Sequence, residues 1–237
     1  MRGNYHELFS RFMKVTNLYD EISFQPKTAK GFILLGDFGC ETEQNTIYKA
    51  YKALLEYTSS DALAKLIEKY AIKVEKNIPS FAGLGGGSSN AACFLKMCNN
   101  TLDLGLSLKQ LAHIGSSVGA DVAFFIYDYN SANVSGIGEI VEKFDEEPLV
   151  LETITPNVEG STPKVYQCFR EHFYKELSAE EHAKLAQMPS KNILENYTVS
   201  DANDLFEPAL QLYPELKNSY QKGYFFSGSG STFFKIK

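Results

Sequence analysis

Four glycines in five positions, followed by two hydroxyls, make up the stretch Gly83-Leu84-Gly85-Gly86-Gly87-Ser88-Ser89. A phosphate group needs several backbone N–H donors converging on it, and side chains obstruct that approach. Glycine removes the obstruction and reaches φ > 0, so consecutive amides can form an anion nest. The apolar pattern from about Ser88 to Asn99 predicts a helix directly behind the loop. Its first turn would add unpaired N–H groups and the positive end of the helix dipole. Ser88 and Ser89 could offer hydroxyls to phosphate oxygens or to a magnesium ion. A flexible loop ahead of a helix cap would also fit, although clustered glycines cost entropy that a simple turn need not incur. Two more residues could do chemistry. Asp121, in Gly119-Ala120-Asp121, reads by itself as an acidic turn residue. Lys76, at a strand end, reads by itself as a solvated lysine.

Several phosphate-binding motifs are excluded. A Walker A loop needs G-x-x-x-x-G-K-[ST], and no lysine follows these glycines. The dinucleotide fingerprint fails at its third glycine, where Ser88 stands. Asp37-Phe38-Gly39 spells the DFG of protein kinases, but it precedes the glycine loop and no His-Arg-Asp loop exists.

The stretch Ile78-Pro79-Ser80-Phe81-Ala82-Gly83-Leu84-Gly85-Gly86-Gly87-Ser88-Ser89-Asn90-Ala91-Ala92 resembles the central P-x3-G-L-G-S/G-S motif of the GHMP kinases. Other segments resemble the branch of that family whose substrate is a cytidine diphosphate derivative. Gly3-Asn4-Tyr5-His6-Glu7-Leu8 is similar to its G-Y-H-x-L segment, Asn45 to Ala50 to its N-x-[IV]-x-x-A helix, and Gly119 to Phe125 to its G-A-D-V-P-F-F segment. Ala132 to Glu139 resembles the following A-x-x-x-G-x-G-E turn, and Thr162 to Tyr166 its T-P-x-x-[FY] segment. Ser227-Gly228-Ser229-Gly230-Ser231 is similar to the third, C-terminal glycine motif.

The resemblance implies an α+β, two-domain GHMP-kinase fold with the active site in the interdomain cleft. It implies ATP, with magnesium bound to it, held by Gly83 to Ser89, by Asn45 near the adenine and by Lys76. Asp121 is implied as the catalytic base. Tyr5 and Tyr166 would stack on the cytosine, His6 would read its edge, and Gly228 and Ser229 would contact substrate. One segment departs from the pattern. The family begins with a strand of the type A-K-[IVL]-N-L-x-L, whose lysine lies against the catalytic aspartate, whereas this sequence starts at Met1-Arg2-Gly3. We expect a start codon assigned too late and a longer natural protein. A GHMP kinase for another small alcohol and a non-catalytic nucleotide-binding relative remain as alternatives.

The elements that must position these residues are legible in outline. Strands are expected within residues 12–38, and helices over 46–55 (capped by Asn45 or Thr46), Ser60 to Tyr70 and Ser107 to Val118. Ala71 to Glu75, Val122 to Tyr127, Ile140 to Phe144 and Leu149 to Thr155 read as strands. Helices follow at Lys164 to Tyr174, Ser178 to Gln187 and within Asp201 to Tyr220, and a final strand at Thr232 to Ile236. Domains are expected at 1–150 and 151–237. With 237 residues, 44% hydrophobic, the chain can bury such a core. Its net charge of −6 argues against nucleic acid as a partner. Apolar runs are too short to span a bilayer, and the N-terminus lacks the apolar core of a signal peptide. A cytoplasmic protein acting on a small molecule is expected. Cys40, Cys93, Cys98 and Cys168 form no C-x-x-C pair, and Cys93 and Cys98 read as small hydrophobes on a helix.

Overall fold

A computed structural model describes residues 8–237, so Tyr5 and His6 lie outside the described residues. The chain forms two units. The first takes residues up to 14 together with 18–78 and 85–145; the second takes 15–17, 79–84 and 146–237.

In the first unit, strands β1 (Leu8–Met13), β2 (Glu21–Pro26) and β3 (Leu34–Leu35) are followed by helices α1 (Thr46–Thr58) and α2 (Asp61–Lys69). Strand β4 (Tyr70–Glu75), helices α3 (Gly86–Thr101), α4 (Leu108–Val118) and α5 (Val122–Tyr127), and strands β5 (Ser131–Gly136) and β6 (Ile140–Lys143) complete it. Strand β4 lies centrally in one sheet, antiparallel to β2 and parallel to β3, and β5 lies between β1 and β6 in another. Helix starts follow local chemistry. Asn45 caps α1 by accepting from the Ile47 amide at 2.9 Å, Ser60 caps α2, and Ser107 forms a capping box with Gln110 on α4. The core gathers Ile47 and Leu54 of α1, Ile72 of β4, Phe94, Leu95 and Cys98 of α3, Leu111 of α4 and Val122 and Ile126 of α5. Burial pushes the Cys98 thiol up to about 12, as befits a small core hydrophobe.

In this unit two elements differ from the sequence reading. Val122–Tyr127 is helix α5 rather than a strand. Its six apolar residues carry no period that separates helix from strand, and burial on several sides decides the matter: Val122, Ala123, Phe124 and Ile126 are all buried. Ala132 to Gly136, the first part of the expected turn, lie in strand β5 (Ser131–Gly136). Its small polar residues hide the strand signal, yet Ser131, Ala132 and Val134 are buried between β1 and β6.

The second unit contains β7 (Leu151–Ile154), α6 (Thr162–Cys168), α7 (Ala179–Gln187), α8 (Ser190–Asn196), α9 (Val199–Ala202), α10 (Phe206–Leu212), β8 (Phe225–Phe226) and β9 (Phe233–Ile236). The helix expected to run to Tyr174 leaves α-geometry at Phe169, and α8 carried no expectation. Strand β9 pairs antiparallel with both β7 and β8. Val165, Phe206, Ala209, Leu216, Phe226 and Phe233 form the core.

Candidate active site

Helix α3 begins within the glycine loop, two residues before the expected start. Gly85 is its N-cap, in the left-handed conformation at φ +66°, and the Ser89 amide donates to the Gly85 carbonyl at 2.8 Å. Gly86, Gly87 and Ser88 therefore form the first turn, whose amides have no acceptor within the helix. Neighbouring side chains lie close to where side chains at these positions would begin. A Cβ on Gly85 would lie 2.9 Å from the Phe125 ring. One on Gly86 would lie 2.9 Å from Ile78 Cγ2 and 3.6 Å from Lys76 Nζ, and one on Gly87 would lie 3.3 Å from Thr46 Oγ1. The Thr46 hydroxyl also donates to the Gly87 carbonyl at 2.6 Å. Helix α1, the segment that follows β4 and helix α5 thus pack around the start of α3. Such a turn accepts an anion by backbone alone.

The two serines are not equivalent. The Ser89 hydroxyl donates back to the Gly86 carbonyl at 2.9 Å. Ser88 is half-buried, and its Oγ lies 3.8 Å from the point a Gly119 Cβ would occupy. The beginning of α3 is thereby next to the Gly119-Ala120-Asp121 turn. Asp121 stands at the N-cap position of α5, yet its side chain makes no capping hydrogen bond. Burial pushes its pKa above the ordinary carboxylate value, because desolvation disfavours the charged form. The hairpin between β5 and β6 supports this turn: a Cβ on Gly138 would lie 2.7 Å from the Ala120 Cβ.

Asn45 is buried, and its side-chain carbonyl serves as the α1 cap. Lys76 is not a solvated strand-end lysine. It pairs with Asp20, a residue sequence reasoning missed. The Asp20 carboxylate also accepts from the Asn77 amide at 2.7 Å, the Ile78 amide at 2.8 Å and Asn90 Nδ2 at 2.9 Å. Burial alone would raise the Asp20 pKa, but the Ile78 amide, the Lys76 ammonium and the Asn77 and Asn90 donors hold it below the ordinary value. Only strand register could have revealed the pair. In the β2–β4 ladder Glu21 faces Glu75, so Asp20 and Lys76 occupy the next position outward.

Gly83 and Leu84 belong to the second unit. There the Ser227 hydroxyl donates to the Gly83 carbonyl at 2.8 Å, and the Thr232 amide donates to the Ala82 carbonyl at 3.1 Å. Gly83, at φ +70°, has no room for a Cβ against the Ser227 carbonyl. The structure thus brings the C-terminal glycine turn, with Gly228 and Ser229, against the first glycine of the central motif. Ser229 Oγ is 2.6 Å from Thr162 Oγ1, at the start of α6, and Asn203 Nδ2 holds the Gly228 carbonyl at 2.8 Å. Tyr166, on α6, packs partly buried against the core of this unit.

Comparison with known proteins adds to this geometry. A family model described as the GHMP kinases N terminal domain matches residues 45–129, which include Asn45, Lys76, the glycine loop and Asp121. A protein named 4-diphosphocytidyl-2-C-methyl-D-erythritol kinase from Sulfurimonas denitrificans is 60% identical over 240 residues, covering 100% of this chain and 90% of that one. One of the same name from Helicobacter pylori is 42% identical over 247 residues, covering 99% and 88%. A solved structure of 4-(cytidine 5'-diphospho)-2C-methyl-D-erythritol kinase superposes with a TM-score of 0.73 at 29% identity, covering 100% of this chain and 83% of that chain. A homoserine kinase from Cytophaga hutchinsonii, at 19% identity and a TM-score of 0.57, covers 92% and 76% and shares the fold alone.

Proposed function

We propose, for a chain that belongs to the GHMP kinase family and within it to the 4-diphosphocytidyl-2-C-methyl-D-erythritol kinases, that it transfers the γ-phosphoryl group of ATP to the 2-hydroxyl of 4-diphosphocytidyl-2-C-methyl-D-erythritol. That reaction belongs to the non-mevalonate route to isoprenoids. The observation that carries this reading is the side-chain-poor first turn of α3, Gly86, Gly87 and Ser88, set beside the turn that bears Asp121.

In this reading the α3 amides hold the triphosphate, and Lys76 adds a cation at Gly86. Asp121 accepts the hydroxyl proton while the substrate oxygen forms a bond to the γ-phosphorus and the bond to the β-phosphate oxygen breaks. ADP and the 2-phosphate ester leave. Magnesium, when bound to the triphosphate, spreads its negative charge. Among the described residues no three His, Cys, Asp or Glu side chains gather to hold a metal. In this reading phosphate oxygens would carry the ion, and the half-buried Ser88 hydroxyl could add a protein ligand. Tyr5, His6 and Tyr166 are assigned to the cytosine, Gly228 and Ser229 to the rest of the substrate, and Asn45, Gly83 and Leu84 to the nucleotide end. No described helix is long and apolar enough to cross a membrane, and the cytoplasm, where ATP is abundant, is the compartment this reading implies.

Asp121→Ala tests the assignment. General-base catalysis is worth about 10²- to 10⁴-fold, so kcat should fall by that much while affinity for a non-hydrolysable ATP analogue stays within about twofold. Turnover retained in the variant would remove Asp121 from the mechanism.

A further inference from the structure

Asp20 is neither on the glycine loop nor next to Asp121, yet its carboxylate has more polar partners than its position before β2 would suggest. Its side chain is 1% exposed and that of Lys76 15%, so the pair is withdrawn from water rather than lying on the surface. A buried ion pair of this kind gives little net stability, because desolvation offsets its Coulomb attraction. What it does give is location. The four donors come from both flanks of the loop: Lys76, Asn77 and Ile78 immediately before it, and Asn90 in α3 just behind the amide turn. The ammonium held by Asp20 is the one that sits 3.6 Å from the missing Gly86 Cβ. A lysine free of such a partner would sample many rotamers at a cost in entropy each time it was fixed. Here the Asp20 carboxylate supplies that ordering.

We propose that Asp20 is a positioning residue for the nucleotide's phosphate end, which holds the Lys76 ammonium against the first turn of α3 and joins the two flanks of the glycine loop. The inference rests on the assignment of that loop to ATP. Asp20 touches no substrate; it acts through Lys76. Its neighbour Asn90 is part of the same clamp, since the Asn90 side chain is itself buried and fixes the helix end of the loop.

The test is a double-mutant cycle read by binding of AMP-PNP with magnesium. Asp20→Asn keeps an acceptor for the Asn77 and Ile78 amides but removes the charge that holds Lys76. Affinity for AMP-PNP should drop tenfold or more in D20N and in Lys76→Met, while affinity for cytidine diphosphate stays within twofold. If Asp20 acts through Lys76, the double variant should bind within threefold of K76M. A purely structural role would instead make the two losses multiply. An AMP-PNP affinity in D20N within twofold of the unaltered protein, or multiplicative losses, would overturn the inference. If D20N alone does not fold, the double variant, which leaves no unpaired buried cation, decides. Equality with K76M supports the inference, and a further tenfold loss overturns it. Tight AMP-PNP binding by the unaltered protein with no phosphorylation of the cytidine substrate would contradict the proposed function, and the same binding ratios would still decide the role of Asp20.

Discussion

A carboxylate that accepts a proton from an alcohol must be ionised, and Asp121 is held in surroundings that resist ionisation. Desolvation raises its pKa, so the base form is lost as pH falls through a value above the ordinary one of about 3.9. The acid limb of kcat should therefore lie above that value, and a limb at or below it would contradict the burial argument. The same shift has a consequence for stability. A folded-state pKa above the unfolded one means that the contribution of this group is fully present below the unfolded pKa and is lost as pH rises through the folded one. Asp121→Asn, which carries no charge to desolvate, should melt at a higher temperature than the unaltered protein at pH 7 and lose this advantage in acid. Equal melting temperatures at pH 7 would show that the carboxylate is not strained by its site. With Asp121 as the proposed base, function and stability are opposed at this residue.

At the scale of the element, the start of α3 matters most. Gly85 combines φ +66° with a phenyl ring 2.9 Å from where its Cβ would be. Left-handed backbone costs a non-glycine residue roughly 1–2 kcal/mol, before any displacement of Phe125. Gly85→Ala should thus destabilise the fold by at least that amount in chemical denaturation and weaken ATP-analogue binding about tenfold or more; unchanged binding would mean that the amide turn is not the phosphate site. The glycines and the cap at Asn45 were legible because each is a local device with a local reason. Helix α5 was not, since Val122-Ala123-Phe124-Phe125-Ile126-Tyr127 satisfies a buried strand as well as a buried helix. Strand β5 was hidden for the opposite reason: Ser131-Ala132-Asn133-Val134-Ser135-Gly136 looks like a turn until β1 and β6 pair on either side of it.

Across the whole molecule, the site's order along the chain was readable, while its cross-links were not. Lys76 and the glycine loop are near in sequence, but Asp20 is 56 residues from Lys76 and 70 from Asn90, and a single aspartate between Tyr19 and Glu21 carries no mark of that role. Likewise, nothing in the composition of Pro79 to Leu84 says that it packs with the C-terminal residues rather than with the helix it precedes. Tertiary hydrogen bonds such as Ser227 to Gly83 make that choice.

The central claim is the reaction itself, and the most direct measurement is incubation of the 237-residue chain with ATP, magnesium and 4-diphosphocytidyl-2-C-methyl-D-erythritol, with the product followed by phosphorus NMR. The account predicts ADP formation matched mole for mole by a new monoester on the 2-oxygen of that substrate, with no comparable turnover of homoserine or mevalonate. No monoester on that substrate from a chain that nevertheless binds ATP, or faster phosphorylation of one of the smaller alcohols, would contradict it.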